Sequence, residues 1–487
     1  MAYNELGDLP LDDFRRVGHE IVDWIADYLD NTEQYPVLSQ SKPGEIKSQL
    51  PDVPPLQPES LDSIMADFQD IIMPGITHWN HPNFYAYFSN TGSVPGILAE
   101  MLITALNVNG MLWRTSPAAT ELEEVTMDWL RQLLGLADGW DGIIMDGASM
   151  SSMVAIAAAR EAVEGLDVRT KGMAHATVPQ LRVYISEQTH SSLEKGAMVL
   201  GIGQENVVKI PVDCENGMDV DALETAVLRD IDEGKRPFFV CATVGTTSAT
   251  GVDPVPAIAD IAQKHNMWLH VDGAYGGMAA IVPEKQHLFA GVDRADSLVV
   301  NPHKWLFTPM DLSAFYTRRP DIVKRAFSLL PEYLRSAETD ANTVRDYMDY
   351  GVQLGRRFRA LKLWFVLRAY GQEGLIARLR DHMRLAQLFG SWVEASPTFE
   401  RMAPIVFSTV CFRAHPQGID DEETLNKLNE ALMNAVNDTG HIFISHTKLQ
   451  GSYTLRLAIG NIRTAESHIR QAWILLQKML THIKIDS

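Results

Sequence analysis

The sequence predicts an α/β protein whose main element is a largely parallel β-sheet covered by helices. Between about residues 85 and 360, short apolar strands alternate with helical stretches of the length that joins parallel strands. The chain has 487 residues, 46% of them hydrophobic, which is enough to bury a large core. After residue 360 the pattern changes to long helices and paired strands, which is typical of an α+β unit. We expect an N-terminal helical segment at 1–84, a large domain at 85–360 and a C-terminal domain at 361–487.

The N-terminal segment combines one amphipathic helix with a proline-rich stretch. In residues 11–30, apolar side chains recur at steps of three and four, and Asp12 and Asp13 lie near the favourable N-terminal end. Six prolines between Pro36 and Pro58 then disfavour both helix and central strand. We interpret this stretch as an extended arm that lies on its own subunit or on a partner.

Five apolar runs in the central region are predicted to be buried strands. They are GIIM from residue 142, LRVYIS from 181, PFFVCATVG from 237, MWLHVDGAY from 267 and SLVVNP from 297. Continuous apolar runs are typical of parallel strands that are covered on both faces. Ligands bind beyond the carboxyl ends of the strands in such sheets, so the residues that follow each run are the candidate functional residues.

Charge and composition exclude several classes of function. The net charge of −20 repels nucleic acid and anionic membrane surfaces, and no apolar run approaches the ~20 residues of a membrane-spanning helix. The three cysteines lie far apart in the sequence, and no signal peptide is recognisable. We therefore expect a soluble cytoplasmic protein without disulfides. The motifs HExxH, GxSxG and Walker A and the spacing of zinc-binding cysteines are absent, so we predict no metal site.

Three of the predicted strands end in residues that suit a cofactor. After the first strand, Ala148 and Ser149 offer backbone N–H groups and a hydroxyl at a helix N-terminus, which suits a phosphate; a capped helix with small packing residues is the alternative. After the second, His190 is placed either to stack on an aromatic ring or to bond a backbone carbonyl. After the third, Thr247 is either a hydroxyl donor or part of a polar turn.

The other two strands end in charged residues. Asp272 closes an apolar run, where a carboxylate is costly unless a cation or hydrogen-bond donors face it, although Asp-Gly is also a turn signal. A lone Lys304 would ordinarily be a surface residue, but in an apolar site its free amine is favoured and can attack an aldehyde. A phosphate cradle, a stacking histidine, a carboxylate and an imine-forming lysine together predict pyridoxal 5'-phosphate as the cofactor.

Longer motifs carry a resemblance to a known family. HVDGAYGG followed by NPHKWL resembles the group II pyridoxal-phosphate-dependent decarboxylases, and the tryptophan after the lysine resembles their aromatic L-amino acid decarboxylase branch. Further motifs similar to that family follow in the same order: THWNHPNFYAYF (77–88), SPAATELE (116–123), LPEYLRS (330–336) and GRRFRALKLWFVLRAYG (355–371). The resemblance implies a transferase-like subunit of fold type I, with a mainly parallel seven-stranded sheet. It also implies an obligate homodimer with active sites at the subunit interface and an N-terminal segment that embraces the partner.

The resemblance also implies roles for individual residues. Lys304 would form the Schiff base, Asp272 would pair with the pyridine nitrogen, and His190 would stack on the ring. Tyr333, on a mobile loop, would donate the proton that replaces the carboxylate, and His303 completes the catalytic set. The remaining cofactor contacts are Ala148, Ser149, Thr247, Ala274 and Asn301.

The implied substrate is an aromatic L-amino acid. Matching pocket positions are Trp79, Tyr87, Phe88, Asn90, Asn109, Met111 and Gly355. Asn90, Asn109 and Met111 depart from the usual family residues, and methionine is narrower than an aromatic ring, which widens the pocket. At the position of Gly355, plant relatives whose substrate has an indole ring carry glycine, whereas those whose substrate has a phenol ring carry serine. We therefore favour tryptophan over tyrosine, phenylalanine or DOPA.

Two other functions remain as alternatives. Decarboxylation with oxidative deamination would give an aromatic acetaldehyde, but relatives of that kind replace the tyrosine or the histidine that stand here as Tyr333 and His190. A non-catalytic acidic scaffold with a vestigial site would not need Lys304 and Asp272 intact. The predicted products are therefore an arylalkylamine and carbon dioxide.

Overall fold

The computed structural model describes residues 8–175, 179–329 and 344–483, and a seven-stranded sheet lies at its centre. The strand order is β1-β7-β6-β5-β4-β2-β3. Strands β2 to β6 pair in parallel, whereas β7 runs antiparallel between β6 and β1. Their bounds are β1 Asp141–Met145, β2 Leu181–Ser186, β3 Val207–Ile210, β4 Arg236–Thr243, β5 Trp268–Gly273, β6 Ser297–Val300 and β7 Ser313–Thr317. The predicted mainly parallel seven-stranded sheet is confirmed.

Helices cover both faces of this sheet, as the apolar runs predict. Every residue of β2, β5 and β6 is buried, because each strand is packed on both sides. The α-helices up to the end of this region are α1 Leu11–Asp30, α2 Glu45–Gln49, α3 Leu61–Asp67, α4 Val94–Leu106, α5 Pro117–Leu133, α6 Ala148–Glu161, α7 Val168–Lys171, α8 Ser192–Val199, α9 Val220–Asp232, α10 Val255–Lys264, α11 Pro302–Trp305 and α12 Pro320–Phe327.

Two strands of the sheet have no clear signal in the sequence. The edge strand β3 has only four residues and includes the exposed Lys209. Strand β7 is bounded by Ser313 and Thr317, which interrupt its apolar pattern although both are buried. These hydroxyls are satisfied inside the protein, since Ser313 Oγ lies 3.0 Å from Ser151 Oγ and Thr317 Oγ1 donates to the carbonyl of Asp296.

A second unit, built around an antiparallel sheet, follows the central sheet along the chain. Its antiparallel sheet has the order β10-β11-β9-β8. The elements are α13 Ala360–Ala395, β8 Phe399–Arg401, β9 Thr409–Ala414, α14 Glu422–Asn437, β10 Ser445–Leu449, β11 Ser452–Ala458 and α15 Glu466–Leu480. Helix α13 joins the two predicted helical patterns and is interrupted at Gly371, which has φ 61°.

The N-terminal region differs from its prediction in one respect. The amphipathic helix is confirmed as α1. The proline-rich stretch is not extended throughout, because the seven residues between Pro43 and Pro51 leave room for the short helix α2. Farther along, Tyr85 is tied to the C-terminal unit: its N–H donates to the carbonyl of Phe443, and its carbonyl accepts from the N–H of Ala458. Across the described ranges, no helix is long and apolar enough to span a membrane.

Candidate active site

A cavity of about 230 Å³ lies where strands β4, β5 and β6 end. Thr243, Asp272 and Val299 are neighbours across these strands, so the predicted strand ends meet at one edge of the sheet. Nine of the predicted cofactor residues line the cavity: Ala148, Ser149, His190, Thr247, Asp272, Ala274, Asn301, His303 and Lys304. The structure therefore brings together residues that are spread over more than 150 positions of the chain.

The cradle predicted for a phosphate lies at the start of helix α6. Gly147 precedes this 14-residue helix with extended backbone, and Ala148 and Ser149 form its first turn. The first N–H groups of a helix have no acceptor within the helix and carry its positive dipole end. This end opens on the cavity, so backbone and hydroxyl donors are available to an anion there.

Lys304 and Asp272 provide the opposite charges of the site. The Asp272 carboxylate is buried and accepts a 2.9 Å hydrogen bond from the N–H of Ala274. Burial lowers the pKa of Lys304 below its ordinary value, while the Asp272 carboxylate opposes that shift. The lysine therefore releases a proton more readily than a lysine in water, and the amine is the form that attacks an aldehyde.

Two histidines line the cavity as neutral rings. Nδ1 of His190 accepts from the N–H of Ser192 at 3.2 Å, and Nδ1 of His303 accepts from the N–H of Leu312 at 3.0 Å. In a neutral ring the proton then resides on Nε2. Burial lowers the pKa of His190 and lowers that of His303 to about 3, so both are uncharged near pH 7. A neutral imidazole suits stacking on a flat cofactor ring.

Three aromatic rings stack beside the cavity, and two of them, Phe88 and Tyr275, line it. The ring centroids of Phe88 and Tyr275 are 3.9 Å apart, and those of Tyr275 and Trp305 are 4.8 Å apart. Nζ of Lys304 lies 5.3 Å from the centroid of Phe88, a predicted substrate residue, which places Phe88 beside the reactive amine. Sequence reasoning missed Tyr275, although it stands in the same motif as Asp272, only three residues later.

The cavity has further lining residues that were not predicted: Gly147, Ser192, Thr243, Gly245 and Met310. Two buried polar atoms of the lining, Oγ1 of Thr243 and Oδ1 of Asn301, have no hydrogen-bond partner among the described residues. Buried polar atoms normally have partners, so this pair is consistent with a site that receives a polar group. The donor set, the unpaired atoms and Lys304 fit pyridoxal 5'-phosphate.

A buried ion pair closes the open edge of β1 just before the cradle. The N–H of Ile144 donates to Glu123 Oε1 at 2.9 Å, and Arg356 donates to the carbonyl of Ile144 at 2.7 Å. Arg356 also donates to Glu123 at 2.7 Å. Gln353 Nε2 donates a hydrogen bond of 2.7 Å to Oδ2 of Asp146, the residue directly before Gly147. The pair thus substitutes for a neighbouring strand and fixes where β1 ends.

The other predicted substrate residues fall into two groups. Near the cavity, Asn90 Nδ2 lies 3.5 Å from Sδ of the lining residue Met310. Trp79 and Tyr87 stack at 6.1 Å, and Tyr87 has a φ of 52° and a largely exposed side chain.

The second group of predicted substrate residues lies outside this cavity. The N–H of Arg356 donates to Asn109 Oδ1 at 3.0 Å, and Asn109 Nδ2 lies 3.5 Å from Met111 Sδ. A Cβ added to Gly355 would stand 3.9 Å from Asn109 Nδ2. Asn109, Met111 and Gly355 are therefore one cluster, and none of them lines the cavity around Lys304. Tyr333 lies outside the described residues.

Comparisons with known proteins show the family of this chain. The model of the pyridoxal-dependent decarboxylase conserved domain matches residues 43–415. Tyrosine decarboxylase 4 of Petroselinum crispum is 42% identical, over 97% of this chain and 94% of that protein. Phenylacetaldehyde synthase of Arabidopsis thaliana is 42% identical, over 96% of each.

A solved structure is similar over nearly its full length. The crystal structure of Oryza sativa TDC with PLP and tryptamine superposes with a TM-score of 0.94 at 37% identity, covering 98% of this chain and 99% of that one. Its cofactor is the one that the cavity around Lys304 fits. Since the family model spans most of the chain and close relatives span nearly all of it, this chain belongs to the pyridoxal-dependent decarboxylases.

Proposed function

We propose that this enzyme removes the α-carboxylate of an aromatic L-amino acid and releases the arylalkylamine and carbon dioxide, with tryptophan as the favoured substrate. The observation that carries the proposal is the single cavity in which Lys304, Asp272, His190 and a helix N-terminus meet. Relatives named for tyrosine decarboxylation and a solved relative with bound tryptamine support an aromatic side chain.

Each residue has a distinct part in this proposal. Lys304 would hold the cofactor's aldehyde carbon, and Ala148, Ser149, Thr247 and Asn301 would hold its phosphate end. When bound, the cofactor supplies an acceptor for the electrons that are left when the carboxylate departs. Asp272 keeps a pyridine nitrogen protonated by placing a negative charge against it. His190 would cover the face of the cofactor ring without adding a positive charge. His303 accepts a hydrogen bond from the N–H of Leu312 and so helps to position the neighbouring Lys304.

The proton that replaces the carboxylate at Cα requires a donor. We assign this role to Tyr333, as the resemblance of LPEYLRS implies. Lys304 would again be the residue that holds the cofactor once the product amine is released.

We also propose that the enzyme is a cytoplasmic homodimer with active sites at the subunit interface. Helix α4 exposes five large apolar side chains, which a monomer would leave in water: Val94, Leu98, Met101, Leu102 and Leu106. The cluster of Asn109, Met111 and Gly355 would then complete the cavity of the partner. We further propose that the subunit consists of an N-terminal segment (1–84), a large domain (85–360) and a C-terminal domain (361–487).

Gly355 supports tryptophan, because glycine leaves free the space beside Asn109 that a larger side chain would occupy. The test is a substrate panel of tryptophan, tyrosine, phenylalanine and DOPA with products identified by mass. We expect tryptamine to form fastest, and we expect Gly355→Ser to lower kcat/KM for tryptophan about tenfold relative to tyrosine, the effect of one or two misplaced heavy atoms in a pocket.

A second candidate is oxidative formation of an aromatic acetaldehyde, which the identity to phenylacetaldehyde synthase favours. The same substrate panel distinguishes the two reactions. Formation of the aldehyde consumes oxygen and yields one hydrogen peroxide and one ammonia for each aldehyde, whereas simple decarboxylation yields the amine. Lys304→Ala is the control for cofactor-dependent turnover. Product release by that variant, or no release of carbon dioxide from any of the four amino acids by the native enzyme, would contradict the proposal.

A further inference from the structure

A cavity larger than the one around Lys304 lies at the opposite edge of the central sheet. Its volume is about 540 Å³, more than twice that of the cofactor cavity. It is formed where β4 and β5 begin, and Arg236 and Trp268 are the first residues of these strands. Strand β5 separates Trp268 from Asp272, so the two cavities are about 15 Å apart along the strand.

Four arginines line this rear cavity, in a chain whose net charge is −20. They are Arg236, Arg294, Arg318 and Arg319. Only two carboxylates, Glu164 and Asp296, share the lining. The cavity is therefore locally cationic.

The contacts of the arginines divide them into two pairs. Arg294 donates to Asp260 at 2.7 Å, and Arg319 lies 3.6 Å from Asp296, so these two have carboxylate partners. Arg236 and Arg318 instead donate to backbone carbonyls, those of Glu164 at 3.1 Å and Asp293 at 2.6 Å. Each of these two bonds uses one of five guanidinium N–H groups, and neither arginine forms a direct ion pair with a carboxylate among the residues that the structure describes, although Asp296 lies within electrostatic range of Arg318.

We propose that the rear cavity is a second anion-binding site, which takes a small molecule that carries a diphosphate or triphosphate group. Guanidinium groups bind phosphate oxygens in forked pairs and are the preferred side chains for this task. Arg236 and Arg318 supply guanidinium N–H groups that their backbone contacts leave free for a ligand. The volume exceeds what one inorganic phosphate fills, and several arginines around one space suit linked phosphates better than a single one.

The test uses the holoenzyme, whose own phosphate cradle is filled by the cofactor. Inorganic pyrophosphate is titrated calorimetrically at constant ionic strength, beside inorganic phosphate and ATP. We expect saturable binding of pyrophosphate that is at least tenfold tighter than that of inorganic phosphate. ATP binding tighter than pyrophosphate would identify a nucleotide as the ligand, and equal binding would identify the diphosphate group alone.

The variant Arg236→Gln/Arg318→Gln is expected to weaken pyrophosphate binding at least tenfold. Its control, Arg401→Gln/Arg470→Gln, lowers the net charge equally at two arginines of the C-terminal unit that pair with Glu394 and Glu466. Equal affinities in both variants, or no saturable binding to the native enzyme, would overturn the proposal.

A second measurement needs no variant. Hydrogen exchange of the native holoenzyme should slow around Trp268 and Arg318 when pyrophosphate is added, but not around Ala148 and Ser149. Slowing only at the latter pair would place the anion at the cofactor cradle and would also overturn the proposal.

Discussion

At the scale of single residues, the site depends on which side chains are charged and which are neutral. Asp272 is a buried carboxylate with a backbone donor, and Lys304 is an amine whose pKa burial lowers. His190 and His303 are neutral because burial lowers the pKa of each. The Asp272 carboxylate thus provides the negative charge that we propose to pair with the pyridine nitrogen.

Replacing Asp272 by asparagine should remove this charge with little change of shape. We expect kcat to fall by about 10²–10³, the usual effect of deleting one preorganised electrostatic group. The measurement is single-turnover release of carbon dioxide with saturating cofactor, and the exposed Asp52→Asn serves as control. Activity within threefold of the native enzyme would show that the carboxylate does not act on the ring.

At the scale of elements, the sequence predicted the strands that carry the site because each is buried on both faces and therefore continuously apolar. The edge strand β3 and the Ser- and Thr-bounded β7 lack such runs, so periodicity could not find them. His190, Asp272 and Lys304 were predicted because they follow strands closely, whereas Asn301 and His303 came only from the family resemblance. The stacking of Tyr275 between Phe88 and Trp305 depends on contacts between distant segments, which no local pattern encodes.

The edge of β1 gives a prediction at this scale. Glu123 and Arg356 have side-chain exposures of 5% and 9%, so removing either partner leaves a buried charge unpaired. We expect Glu123→Gln and Arg356→Leu each to lower the free energy of unfolding by about 3–5 kcal/mol. Urea titration measures this change.

A double-mutant cycle completes this test. The double variant Glu123→Gln/Arg356→Leu should lose less than the sum of the two single losses, because neither charge is then left alone. The exposed pair Glu284 and Arg380 is the control, and its disruption should cost much less. Strictly additive changes in the free energy of unfolding would contradict an ion pair between Glu123 and Arg356 that stabilises the fold.

At the scale of the whole molecule, buried histidines link stability to pH. Burial lowers the pKa of His81, His270 and His382 to about 4 and that of His303 to about 3. In the unfolded chain these groups titrate near 6.5, so below that pH the unfolded state binds protons that the folded state refuses. Asp253, whose pKa burial raises to about 7, opposes the effect by one proton.

We therefore expect the free energy of unfolding to decrease as the pH falls from 6.5 to about 4.5. Each depressed histidine contributes up to about 1.4 kcal/mol per pH unit. Urea titration of the holoenzyme at several pH values measures the slope. His382→Gln should make it shallower, whereas the exposed His482→Gln should not. Stability that is constant or increases on acidification would contradict this account.

The cofactor cavity also constrains when the enzyme becomes competent during synthesis. Its walls come from chain positions between Phe88 and Met310, with Lys304 among the last to be added. A growing chain on the ribosome has the phosphate cradle long before it has the amine that retains the aldehyde. We therefore expect that the cofactor is retained only after synthesis has passed Lys304 and Met310.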